Sequence, residues 1–337
     1  MALKMVQSSF LVSPPHLPHH RQFFVRRLTS PHVDNRMLSL KDVASQRHNS
    51  IVSPVKGVSS LDVERPKPRP FWGRRWHPSD VVRLLFYVSL HVLCLLAPFY
   101  FTWPAFWVGL SLYIIIGSFG ITLSYHKNLA HRSFTLPKWL EYTFAYCGIL
   151  AGQGSPIDWC ACIDPHSPIE GFWFSHLGWM FNGYYLGEKF RGLNNVGDLR
   201  KQSFYRFLKK TQYLHYLAPG LFLYAIGGIP FVVWGMGVRI VAFFHATFFV
   251  NSVCHLWGQR AWNTGDTSRN NWWVALLTFG EGWHNNHHAF EYSARQGLEW
   301  WQVDVTWGVI RLLEVAELAT DVKLPTEEQK KKMKLKN

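Results

Sequence analysis

Gly280-Glu-Gly-Trp-His-Asn-Asn-His-His-Ala-Phe290 decides how the rest of the chain is read. It sets His284, His287 and His288 at i, i+3 and i+4. On a helix these offsets turn through about 300° and about 400°, so the three imidazoles share one face. His287 and His288 are neighbours that diverge by about 100°, which lets them reach two metal ions set side by side. Glu281 and Glu291 flank the cluster and are candidates for outer carboxylates that fix imidazole tautomers. A surface helix that happens to be rich in histidine is the plain alternative. Three histidines in five positions beside long apolar spans argue against it.

Four uncharged apolar spans lie upstream: Leu84–Phe101, Pro104–Tyr125, Tyr213–Gly237 and Ile240–Gly258. Each has roughly the length needed to cross a hydrocarbon core. Thr102-Trp103 alone separates the first pair and Val238-Arg239 the second, so each pair is expected to fold as a tight hairpin. The amino terminus, residues 127–212 and everything after Gly258 then lie on one side. Of 35 Lys and Arg, only Arg239 falls in a far-side link, a strongly one-sided distribution. The expected fold is therefore all-α and integral to the membrane: four transmembrane helices in two hairpins under a helical cap that carries the histidines. Tyr142–Gly154 is too short to span and reads as re-entrant or interfacial, and Trp272–Phe279 as interfacial.

Composition agrees. Aromatic residues make up 16% of the 337-residue chain, with 17 Trp, while charged residues are only 17%. Five Cys without paired spacing exclude a disulfide framework, and nothing marks a nucleic-acid partner. The net charge of +14 is uneven: residues 1–80 hold 13 Lys and Arg against 5 Asp and Glu, with no acid before Asp34. Without an uninterrupted apolar stretch this is no secretory signal. A Ser- and Arg-rich, acid-poor start reads as an organelle transit peptide. The expected organisation is a transit or disordered basic region over 1–65 and a linker over 66–80 containing the stiff Arg65-Pro-Lys-Pro-Arg-Pro70. A membrane domain over 81–325 and a basic tail over 326–337 follow.

More histidines stand at the ends of the spans. Tyr125-His-Lys-Asn-Leu-Ala-His131 closes the second, and His126 and His131 at i, i+5 diverge by about 140° on an α-helix, which suits one ion each. Asn251-Ser-Val-Cys-His255 closes the fourth, with Asn251 and His255 on one face. The hairpins bring all these stretches to the same side of the membrane.

Together with Pro156-Ile-Asp-Trp159, Asp164-Pro-His-Ser-Pro168, Gly171-Phe-Trp-Phe-Ser-His176 and Ala294-Arg-Gln-Gly-Leu-Glu-Trp-Trp301, these motifs resemble the membrane fatty-acyl desaturases of the stearoyl-CoA desaturase class. Trp262-Asn-Thr-Gly-Asp266 and Ala319-Thr-Asp-Val-Lys-Leu-Pro325 are similar to the plant acyl-lipid branch, including chloroplast palmitoyl-monogalactosyldiacylglycerol Δ7 desaturases. The resemblance implies a di-iron centre that uses O2 to insert a cis double bond into a saturated acyl chain. It implies metal ligands at His126, His131, His255, His284, His287 and His288, with Asn251 acting through a water. Gln153, Trp159, Thr247 and Phe248 would line a bend in the acyl tunnel. No fused cytochrome-like domain is visible, so electrons would come from ferredoxin or, in the alternative, cytochrome b5. The implied location is a chloroplast membrane with the metal face towards the stroma, the alternative being the endoplasmic reticulum.

The chain departs from the family at one place. A middle HRxHH box is expected between PIDW and DPHSP, but only Cys160-Ala-Cys-Ile163 stands there. By the family pattern one iron then keeps His126 and His287, and the other keeps His131, His255, His284 and His288, which predicts about one firmly held iron. Asp158, Cys160, Cys162, Asp164 and His166 are the nearest substitutes. Thiolates beside activated oxygen would oxidise, and His166 and His176 belong to motifs in which they are not ligands. The alternative function is a catalytically impaired desaturase-like membrane protein that binds lipid or a partner. Chain length, double-bond position, lipid-linked or CoA-linked substrate and oligomeric state leave no mark in the sequence.

Overall fold

The computed structural model describes residues 74–161, 171–189 and 195–335. The transit region, most of the linker, and Cys162, Asp164 and His166 lie outside the described residues. Within them the chain is helical, and extended backbone occurs only as isolated bridges.

Helix α1 (Pro78–Leu95) opens inside the expected linker, because His77 and Asp80 form a capping box and Pro78 stands in the first turn. Val81, Val82, Leu85, Val88, Val92 and Leu95 are all exposed on it. Such an apolar outer face is what a lipid solvent demands. Thr102 then caps α2 (Trp103–Ile115) by accepting from the Ala105 amide, and the helix continues as a π-helical segment over Ile116–Ala130. Against this segment packs α3 (Lys138–Ile149), at a contact so close that a Cβ on Gly120 would lie 2.5 Å from the Gly148 amide nitrogen. Helix α4 (Pro156–Ala161) and α5 (Phe172–His176) follow.

The next apolar stretch runs from Ser203 to Leu256, 54 residues. As one straight helix it would be about 80 Å long, far beyond a hydrocarbon core of about 30 Å. It is broken at Gly228, whose φ of 66° and ψ of −157° are not helical. The sequence places this break at Val238-Arg239, and the structure moves it to the Gly227-Gly228-Ile229-Pro230 run. Glycine accepts positive φ without a Cβ clash, and proline cannot give its amide to the turn before it. Arg239 instead stands at the start of α7 (Arg239–Leu256), which continues α6 (Ser203–Val232) through a π-helical turn over Val233–Val238. Its guanidinium is buried and donates to the Leu150 and Gly235 carbonyls, both at 2.7 Å. Among the described residues, three stretches are long and apolar enough to cross a membrane: Pro78–Leu95, Trp103–Ala130 and Ser203–Leu256.

The remaining chain forms a cap on the histidine-bearing ends: α8 (Trp272–Leu277), α9 (His284–Ala289), α10 (Val305–Val315) and α11 (Glu327–Met333). A buried ion pair ties it down. Lys127 reaches Asp304 at 3.4 Å and donates to the Ala294 carbonyl at 3.1 Å. Asp304 also accepts from the Gln296, Gly297 and Trp307 amides, so every charge in the pair is hydrogen-bonded.

Candidate metal centre

Six histidines gather into two groups. Among the described residues His126, His131 and His287 form one, and His255, His284 and His288 the other, with one ring nitrogen from each residue of a group within 4.8 Å of the others. His287 and His288 diverge to different groups, as their adjacency on α9 requires. His131 does not follow the α-helical expectation. Its amide donates to the His126 carbonyl at 3.0 Å, the i→i+5 bond of a π-helix. That winding brings i and i+5 onto one face, so the rings of His126 and His131 meet at 4.7 Å instead of diverging. The side chains thus gather three and three, where the family pattern divides them two and four.

Outer contacts fix the rings. The Glu281 carboxylate abuts Nδ1 of His126. Asp266 accepts from Nδ1 of His288 at 2.5 Å, and Nδ1 of His255 meets the Thr267 hydroxyl at 3.1 Å. A ring that gives its Nδ1 proton to a carboxylate turns an Nε2 lone pair towards the group's centre. There Nε2 of His126 faces Nε2 of His287 at 3.2 Å, and Nε2 of His284 faces that of His255 at 3.0 Å. Nδ1 of His287 is buried with no protein partner. Glu291, the other flanking acid, is exposed.

Protonation favours ligation. Burial, reinforced by His126, His288 and Lys127, holds His131 down to about 3. Burial and the neighbouring imidazoles hold His287 well below the usual histidine value. Burial alone would raise the Asp266 carboxyl, but hydrogen bonds from Ser268 and Thr264 and the nearby His288 outweigh it and hold it below the usual carboxylate range. Imidazoles backed by carboxylate acceptors are a donor set that fits a pair of divalent transition ions.

The residues assigned to the tunnel bend also meet. Gln153 Nε2 donates to the Thr247 hydroxyl at 2.9 Å, and Trp159 Nε1 to Gln153 Oε1 at 3.4 Å. Gly152 and Gly154, with φ of 77° and 99°, let the backbone reverse around Gln153. The Trp159 ring lies 5.9 Å from that of His126, which sets this cluster beside the first histidine group. Phe248 stacks on Phe244 at 5.7 Å, next to Thr247 on α7. Asn251 stands one turn before His255 on α7. Among the candidate substitutes, Asp158 pairs with Lys209 at 2.6 Å, and the buried Cys160 thiol reaches the Tyr125 carbonyl at 3.5 Å. Neither belongs to a histidine group. His176 contacts Ser252 and His245 instead.

Sequence reasoning does not reach Asp266 and Thr267 as site residues. Asp266 enters it only as part of a motif, because an acid 22 positions before its histidine carries no periodic signal.

The fatty acid desaturase family model matches residues 101–312. The chain is 56% identical over 287 residues to the chloroplastic palmitoyl-monogalactosyldiacylglycerol delta-7 desaturase of Arabidopsis thaliana, covering 82% of this chain and 77% of that one. It is 55% identical over 278 residues to delta-9 acyl-lipid desaturase 1 of the same plant, covering 79% and 91%. It is 54% identical over 290 residues to the acyl-CoA C20 Delta5-desaturase of Anemone leveillei, covering 83% and 93%.

Proposed function

The chain belongs to the fatty acid desaturase family, and from that premise we propose that it inserts a cis double bond into a saturated acyl chain of a membrane lipid, using O2 and two irons. The observation that carries this reading is the pair of three-imidazole groups beside the Gln153–Thr247–Trp159 cluster. His126, His131 and His287 would hold one ion and His255, His284 and His288 the other. Iron, when bound, supplies the O2 chemistry that an unactivated methylene requires. The chain's own residues supply neutral ligands and a bend that presents one part of the acyl chain. They also supply an apolar surround that keeps water from the reacting carbons. An electron pair from ferredoxin, or from cytochrome b5 if the protein resides in the endoplasmic reticulum, completes the balance: two hydrogens from the chain, two electrons and two protons reduce O2 to two waters.

In this reading the chain crosses the membrane four times, turning at Thr102 and at Gly228, with both ends on the metal side. Residues 1–65 direct import into the chloroplast, and the names of two similar proteins support that address.

A second reading rests on one observation, the absent HRxHH box between Trp159 and Asp164. On that reading the chain keeps the fold, binds metal and lipid, and forms no double bond. Expression in a desaturase-null host separates the two. A new cis double bond in the membrane lipids supports catalysis, and unchanged lipids from a metal-loaded, correctly folded chain support the impaired form.

A further inference from the structure

We infer that the carboxyl-terminal segment Thr326–Leu335 is a strap that positions the ligands of the His255, His284 and His288 group. This rests on the proposed metal reading of that group.

The strap is built from its own sequence. Thr326 opens α11 with a capping box, its hydroxyl accepting from the Gln329 amide while Gln329 Oε1 accepts from the Thr326 amide at 2.8 Å. The same Gln329 oxygen accepts from the Tyr292 hydroxyl at 2.8 Å, which ties the helix to the chain just after the histidine box. Beyond the helix the backbone turns extended and lies antiparallel to Trp262, with Lys334 as its partner. The Asn263 amide donates to the Met333 carbonyl at 2.8 Å, and the Leu335 amide approaches the Ala261 carbonyl at 3.5 Å.

The other edge of the strapped loop faces the histidines. The Ala261 and Trp262 amides both donate to Asn285 Oδ1 at 2.8 Å, and Trp262 Nε1 donates to Asn286 Oδ1 at 2.8 Å. Asn285 and Asn286 are the residues between His284 and His287. Farther along the loop, Asp266 holds His288 and Thr267 holds His255. One short loop therefore supports this group through His255, His288 and the turn that carries His284, and the tail is its backing. The tail touches none of the six histidines in these contacts, so its role is positioning. The first group has a different support, since Glu281 reaches His126 from the turn before α9.

The test uses the full-length protein in detergent, loaded with Co2+ without oxygen and followed by cobalt absorption and metal analysis. The full chain should hold two cobalt ions. A chain ending at Pro325 should keep one firmly and bind the other about 10- to 100-fold more weakly, the usual effect of losing an outer support. L335P, which keeps the length but removes the Leu335 amide donor and side chain and fixes φ there, should weaken the same ion in the same direction. Adding H131A to the shortened chain should then release the firm ion, which places it in the first group. A shortened chain that keeps both ions at full affinity overturns the strap while leaving the metal reading intact. Loss of both ions from the shortened chain and from L335P also overturns it, because the tail would then support the whole fold. A full-length chain that binds no cobalt overturns the metal reading and the strap with it.

Discussion

Glu281 and Asp266 give the two histidine groups separate electrostatic support, each carboxylate orienting one ring. Replacing Asp266 by Asn keeps the shape and removes the anionic acceptor. Metal affinity at the His255, His284 and His288 group should fall about 10- to 100-fold, with the other group unchanged. E281Q should do the converse, and competition with a chelator of known affinity measures both. The six histidines stand out by their spacing and their places at span ends, which are local signals, and the family resemblance joins them into one ligand set. Glu281 is legible from its place beside the box. Asp266 and Thr267 are not, since their contacts form only when the loop after α7 folds back over α9, and no local pattern encodes that closure.

At the scale of elements, the apolar spans and the first break at Thr102 are legible, and the second break is not. A run of uncharged residues signals burial in lipid, but it does not distinguish α from π winding, and the π-helical segment over Ile116–Ala130 is what moves His131 into the first group. A lone arginine between two apolar runs reads as a link. In the structure the Arg239 guanidinium satisfies carbonyls at Leu150 and Gly235, so it sits within a helix and the bend falls to Gly228. R239M should leave the Leu150 carbonyl without its donor in an apolar setting, where an unmet buried group costs about 1–3 kcal/mol. A lowered unfolding temperature in detergent is expected. An unchanged temperature would mean that losing the buried charge offsets the lost bonds.

For the whole molecule, the one-sided charge supports the proposed four crossings with both ends on the metal side. A protease-sensitive tag inserted at Gly228 should be protected in sealed membranes, while a tag after Asn337 should be cleaved from the stromal side. The reverse pattern inverts the topology. A reporter fused to residues 1–65 should enter chloroplasts, and its retention in the cytosol removes the transit reading. The missing box concerns the molecule as a whole, because it sets how many ligands each ion has beyond three imidazoles. Inserting an HRxHH segment between Trp159 and Asp164 should increase desaturated product in the null host.

Six histidines in two groups of three should hold two metal ions, and stoichiometry measures this directly. The purified full-length chain, reconstituted with ferrous iron without oxygen, should hold two ions per chain. H131A should lower this to about one and H288A likewise, each emptying a different group. One ion per chain that is lost in H288A and untouched in H131A would contradict the account, because His131 would then play no part in a group with His126 and His287.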